Sequence, residues 1–270
     1  MPDNAPSDAR ASGLVEVADR CWVARLTSRH LNVGLVAGAA GLLLVDTGDS
    51  AAAASHVVEQ ARSLGAGDVL AIFNTHGHPD HTSGNGVVSR AYGGPRVVAH
   101  DGARAPSATE TFSSARVVDL GDRQVELLHP GRGHTAGDAV ARVPDVDVVF
   151  AGDLVPGSGG GDPRADVPRL GEDCFPLEWP ASLDLVLSLL GERSVVVPGH
   201  GSVVDRTLVD EQRGEIGTVA ETVRDLASRG VPVDRALESA PWPYPAEHLR
   251  HAVSRGYRQL PRSGRGLPLV

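Results

Sequence analysis

The sequence predicts an α/β protein in which helices cover the faces of sheets. Short apolar runs of strand length alternate with longer stretches whose apolar residues recur at helical spacing. Gly, Pro and Asp punctuate the boundaries between them. No repeat of fixed period and no shift in composition marks a linker. A single domain over residues 13–262 is therefore expected, with residues 1–12 a disordered tail and 263–270 a loose one.

The elements follow in order. Leu14–Ala18 and Cys21–Leu26 read as short strands around Asp19 and Arg20. Asn32–Ala37 and Leu42–Val45 form a second pair across the Gly-rich segment 38–41. Ser50 can cap a helix through Leu64, with Ala54, Val57, Val58 and Ala61 along one stripe and Gly65 ending it. Val69–Phe73 is a nearly continuous apolar run, as a buried strand requires. Ser83–Tyr92 reads as a helix stopped by Gly93 and Gly94. Strands are then expected at Arg96–Ala99, Arg116–Leu120, Val125–Leu128, Ala139–Val143 and Val146–Phe150, the last two joined by a turn at Pro144 and Asp145. Residues 154–180 are rich in Gly and Pro without periodicity, hence a long loop. Pro180–Leu190 is helical, Ser194–Val197 a strand, and Thr207–Ser228 and Ala246–Leu260 two further helices.

Composition narrows the function. The chain has 270 residues and a formal net charge of -9. All 25 of its basic residues are Arg, and no basic run interrupts the acidic surplus. Nucleic-acid phosphates would be repelled, so no nucleic-acid partner is expected. The absence of lysine removes Schiff-base chemistry. The cysteines, Cys21 and Cys174, are too few for a disulfide framework and read as reduced thiols. The N-terminus is polar and no stretch approaches a membrane span, so a cytoplasmic protein with no membrane partner is expected. Whether it is a monomer or a homodimer stays open.

The chemistry is concentrated in His76-Gly77-His78-Pro79-Asp80-His81, directly after the strand Val69–Phe73. Neutral imidazole and carboxylate are good ligands for zinc, and also for iron or manganese. In a non-helical loop, side chains two apart can converge on one ion. Three later segments each offer one more ligand at a strand boundary, beside glycine: His134, Asp153 and His200. Seven ligands suit two ions that share one carboxylate.

These motifs resemble those of the metallo-β-lactamase-fold hydrolases, from about Val33 to Val204, with Val45-Asp46-Thr47-Gly48 as a further landmark. The resemblance implies an αββα sandwich, two mixed sheets flanked by helices, with two Zn²⁺ at one edge. On that resemblance His76, His78 and His134 hold the first metal, and Asp80, His81 and His200 the second. Asp153 bridges them, and Asp46 orients the ligands from behind. The metals activate a water and polarise the acyl oxygen of a small-molecule substrate, while Asp80 orients that water and carries the proton. A carboxylate at Asp153 is similar to the glyoxalase II and lactonase branch rather than to true β-lactamases. Hydrolysis of a thioester, ester or lactone is therefore expected. A β-lactam hydrolase, a mononuclear iron persulfide dioxygenase-like enzyme and a non-catalytic relic of the fold are the alternatives. Phe175, Trp179 and Arg132 are candidate pocket residues; the competing reading makes the aromatics loop anchors and the arginine a surface residue.

Overall fold

The structure, a computed structural model, describes residues 11–157 and 167–261. The tails expected at 1–12 and 263–270 lie outside these, save Ala11 and Ser12, which open the first strand; so does the middle of the 154–180 loop. Four strands come first: β1 (Ala11–Ala18), β2 (Cys21–Leu26), β3 (Asn32–Gly38) and β4 (Gly41–Val45). Helix α1 (Ala51–Ser63) follows, with Ser50 Oγ accepting from Ala53 N at 3.2 Å. Next come β5 (Val69–Asn74), the single turn α2 (Pro79–Thr82), α3 (Asn85–Ala91), β6 (Arg96–His100) and β7 (Glu110–Phe112). The second half holds β8 (Ala115–Asp119), β9 (Gln124–Leu128), β10 (Val140–Val143), β11 (Val148–Gly152), α4 (Trp179–Leu189), β12 (Val195–Pro198), α5 (Arg206–Ser228) and α6 (Ala246–Gln259).

One sheet runs β1 to β7 in chain order, and the other runs β12-β11-β10-β9-β8. Both are mixed. β1 to β4 pair antiparallel and β4 to β7 parallel. In the second sheet only β11 and β12 are parallel.

The two-residue period of a strand explains the layering. In β4, Leu43 and Val45 face the second sheet, while Leu42 and Leu44 face α1. In β5, Phe73 points inward and Ile72 outward. The inner faces meet through Val45, Phe73, Leu127 and Phe150. On the far side, Val149 of β11 and Val196 of β12 pack against Leu183, Ile216 and Val253 of α4, α5 and α6. Three apolar layers thus separate helix, sheet, sheet and helix, an αββα sandwich. Strands buried on both faces need apolar residues throughout, which is why β4, β5 and β11 read as unbroken runs.

Three expectations differ. β7 carries no apolar run and gives no signal in the sequence. The expected helix from Ser83 begins instead at Asn85, because Gly84 lies against the Thr47 carbonyl and a separate turn, α2, forms inside the histidine cluster. β11 begins at Val148, because the reversal after Pro144 runs on through Asp147, whose φ is 54°. Among the described residues no helix is long and apolar enough to cross a membrane.

Candidate metal centre

The site forms where β4, β5, β11 and β12 end at one edge of the two sheets. Asp46 leaves β4, the cluster 76–81 leaves β5, Asp153 leaves β11 and His200 leaves β12; His134 lies in the loop before β10. Parallel strands point their carboxyl ends at a common edge, so side chains distant in sequence converge there. Ligand atoms of His76, His78 and His134 lie within 4.8 Å of one another, as do those of Asp80, His81 and His200, and those of His76, His81 and Asp153.

Each imidazole is pinned through the nitrogen that faces away from the site. Thr75 Oγ1 donates to Asp46 Oδ2 at 2.8 Å and accepts from His76 Nδ1 at 3.1 Å. His81 Nδ1 donates to Asp46 Oδ2 at 2.8 Å. His134 Nδ1 donates to the Arg169 carbonyl and His200 Nδ1 to the Arg29 carbonyl, both at 2.8 Å. His78 is reversed: its Nε2 donates to Asp173 Oδ2 at 2.9 Å, which turns Nδ1 inward. Inside, Nε2 of His76, His81 and His200 is buried without a hydrogen-bond partner. His78 Nδ1 and His134 Nε2 stand 3.0 Å apart. With the outer nitrogens donating, only a proton or a cation can lie between these two lone pairs. The buried, partnerless nitrogens and the N/O donor set fit zinc-class ions.

Asp153 connects the two sides. Its Oδ2 is 3.5 Å from His134 Nε2, while Oδ1 is 3.4 Å from His81 Nε2 and 3.5 Å from His200 Nε2. Asp80 Oδ2 lies 3.4 Å from His200 Nε2. Burial, reinforced by repulsion from His81, holds the pKa of His76 well below its usual value. Burial also brings His134 down to about 4, so both rings are neutral at pH 7. On His81 burial acts the same way, but the Asp153 and Asp46 carboxylates outweigh it and hold its pKa well above the usual value. Burial opposes the charge on Asp80 and Asp153; the surrounding imidazoles, His200 foremost, overcome it and keep both ionised.

Backbone geometry supports this packing. Asp46 has φ 62°, a left-handed conformation that Asp tolerates better than most residues. It aims one carboxylate at both Thr75 and His81. Gly199 is needed for closeness: a Cβ there would run into Asp153 Oδ1 and come within 2.9 Å of His81 Cε1. Gly199→Ala is expected to weaken metal binding about tenfold or more, by competition with a metallochromic chelator. Unchanged affinity would show that this approach is not required.

Asp138 holds the His134 loop. It accepts from Gly133 N at 3.0 Å, and from Thr135 N and Thr135 Oγ1 at 2.9 and 2.6 Å. Burial outweighs these bonds and pushes its carboxyl up to about 7. A carboxyl whose folded pKa is raised stabilises the fold most when protonated, and that contribution is lost as pH rises. The stability difference between wild type and Asp138→Asn should therefore shrink from about pH 4 to about pH 7 and stay level above. Urea denaturation across that range measures it, and a flat difference would contradict the assignment.

A cavity of about 640 Å³ opens onto the site. Its wall includes His78, Asp80, His134, Asp153 and His200, and beyond them Arg29, His30, Arg169, His248 and His251. Phe175, Trp179 and Arg132 are not part of it. Trp179 is fully buried behind His134 and donates through Nε1 to the Leu154 carbonyl at 3.1 Å. Phe175 is sandwiched between the Arg132 and Arg255 guanidinia, and Arg132 is tied to Glu178 at 2.7 Å. The 171–180 segment is thus anchored by its aromatics, and these three residues support the site from behind. Cys174 is buried outside the ligand set. Arg29, Arg169 and Asp173 carry no local signal in the sequence; only the fold brings them here.

The sequence profile of the Metallo-beta-lactamase superfamily matches residues 27–200. A metallo-beta-lactamase type 2 from Bacillus cereus is 29% identical over 186 residues, 63% of this chain and 66% of that protein. A hydroxyacylglutathione hydrolase from Synechococcus sp. (strain JA-3-3Ab) is 34% identical over 112 residues, 40% of this chain and 43% of its own length. The matched stretch thus spans just under two thirds of the first relative and less than half of the second. Among solved structures, the metallo-beta-lactamase from Pontibacter korlensis has a TM-score of 0.64 at 22% identity, covering 76% of this chain and 98% of that one. That likeness is one of fold. The profile covers more than half the chain and takes in all seven converging side chains: the chain belongs to the metallo-beta-lactamase superfamily.

Proposed function

We propose that the chain is a hydrolase of acyl bonds that works with two metal ions, zinc by donor chemistry. The target is a thioester, ester or lactone of a small molecule. His76, His78 and His134 would hold the first ion, Asp80, His81 and His200 the second, and Asp153 both. The observation that carries this reading is the set of five imidazoles, each fixed at its outer nitrogen by a protein acceptor and each turning the other inward. The relatives lend support, since both bear the names of acyl-bond hydrolases.

Ions held there would make a nucleophile from water near neutral pH and polarise the acyl oxygen. The protein's own part is positioning and proton handling. Asp46 and Thr75 set the tautomers of His81 and His76, and the Arg169 and Arg29 carbonyls set those of His134 and His200. Asp80 faces the cavity and stays ionised, so it can accept a proton from the attacking water.

A single-iron oxygenase would leave Asp80, His81 and His200 without a task, although their ligand atoms lie within 4.8 Å of one another. The test is a screen of thioester, ester, lactone and β-lactam substrates with the zinc-loaded protein and with Asp80→Ala. Acyl hydrolysis is expected, falling at least about a hundredfold in the variant. Oxygen consumption by an iron-loaded protein that hydrolyses none of these would overturn the proposal.

A further inference from the structure

The acyl-hydrolase reading leaves the substrate open, and two arginines at the cavity wall bear on it. Of the 25 arginines, several near the site are committed to the fold. Arg132 grips Glu178 through two bonds of 2.9 and 2.7 Å, and Arg255 donates to the Cys174 carbonyl at 2.9 Å. Arg29 and Arg169 are different. Arg29 Nη1 lies 3.6 Å from Asp80 Oδ2, Arg169 Nη1 4.0 Å from the same oxygen, and Arg169 Nε 3.7 Å from Asp153 Oδ2. These separations are too long for hydrogen bonds. Among the described residues neither guanidinium has another polar partner. Their side chains are 65% and 42% exposed.

The backbone beneath them is tied to the ligand imidazoles. Arg29 and His30 adopt left-handed φ of 55° and 51° in succession, which non-glycine residues avoid. The turn is held by His200 Nδ1 on the Arg29 carbonyl and by Gly201 N on the His30 carbonyl, both at 2.8 Å. Strain kept beside a site points to use. The Arg169 carbonyl holds His134 in the same way. The two arginine carbonyls thus hold one ring in each half of the ligand set, and both guanidinia face Asp80.

We infer that Arg29 and Arg169 clamp an anionic group of the substrate, a carboxylate a few bonds from the acyl carbon. Cations bound by Asp80 and Asp153 would neutralise the charges these arginines now face, leaving two guanidinium forks open to the cavity. A fork matches a carboxylate through two parallel N–H···O bonds, and the chain has no lysine to share the task. The cavity, about 640 Å³, has the size of a small-molecule site.

This inference rests on the proposed acyl hydrolysis, and the experiment separates the two. Glutarate binding to the zinc-loaded protein is measured by calorimetry for wild type, Arg29→Gln and Arg169→Gln. In parallel, kcat/KM is compared for mono-para-nitrophenyl glutarate and its neutral methyl ester. Each substitution is expected to weaken glutarate binding about tenfold or more and to lower the acid-to-ester ratio by a similar factor. Glutarate binding that depends on the arginines, with neither ester hydrolysed, supports the clamp and sinks the hydrolase reading. Hydrolysis of both esters at equal kcat/KM, with glutarate binding unchanged in both variants, overturns the clamp and leaves the hydrolase reading standing. Failure of the wild type to bind glutarate likewise overturns it.

Discussion

Asp153→Ala is expected to lower the metal content from two ions per chain to one or none and to cut kcat/KM for acyl hydrolysis at least a thousandfold, roughly 4 kcal/mol of transition-state stabilisation. The reason is its position. One oxygen faces His134 at 3.5 Å, and the other faces His81 and His200 at 3.4 and 3.5 Å. No other described carboxylate touches both ligand groups. Its loss also leaves Asp46 as the one carboxylate still beside the fully buried His81 ring. Metal analysis after gel filtration, with steady-state kinetics, checks both parts. A variant with two ions and near-normal turnover would show that the halves do not depend on a shared carboxylate.

Asp46→Asn has the next largest expected effect. The carboxylate is 2% exposed and accepts from Thr75 N, Thr75 Oγ1 and His81 Nδ1 at 2.9, 2.8 and 2.8 Å. Asparagine fits the left-handed backbone at this position, so the fold should survive. One of its two groups is a donor, however, and cannot receive the His81 proton while the remaining oxygen serves Thr75. His81 loses its fixed tautomer. Zinc affinity of the second group should fall about 10–100-fold, the usual consequence of removing a carboxylate behind a ligand histidine. The first group, whose His78 and His134 are held by Asp173 and Arg169, should be affected less. Stepwise zinc titration resolves the two affinities, and equal weakening of both would contradict this division.

The dense cluster 76–81 stands out in the sequence because its residue types and spacing fall in one loop after a clearly apolar strand. His134, Asp153 and His200 are legible more weakly, each as a polar residue beside glycine at a strand boundary. Which ring nitrogen faces inward is not legible at all. It is set by Thr75, Asp173 and the carbonyls of Arg29 and Arg169, which tertiary packing delivers. The same limit explains the pocket. Phe175 and Trp179 read as a lining or as anchors, because an aromatic side chain suits either, and in the structure they pack as anchors. Strand β7 shows the complement, since its place depends on pairing with β6 and not on any apolar run of its own.

Zinc stoichiometry distinguishes a two-ion site from a one-ion site. Protein stripped with a chelator, reloaded and freed of excess metal is assayed for zinc by elemental analysis, alongside thermal unfolding. Two ions per chain are expected, and with free zinc buffered during unfolding at a thousand times each dissociation constant they should add about 4 kcal/mol each, about 8 kcal/mol together. For a chain of this length that corresponds to a rise in Tm of roughly 16–32 °C. One ion per chain, or none with an unchanged Tm, would contradict the two-ion site.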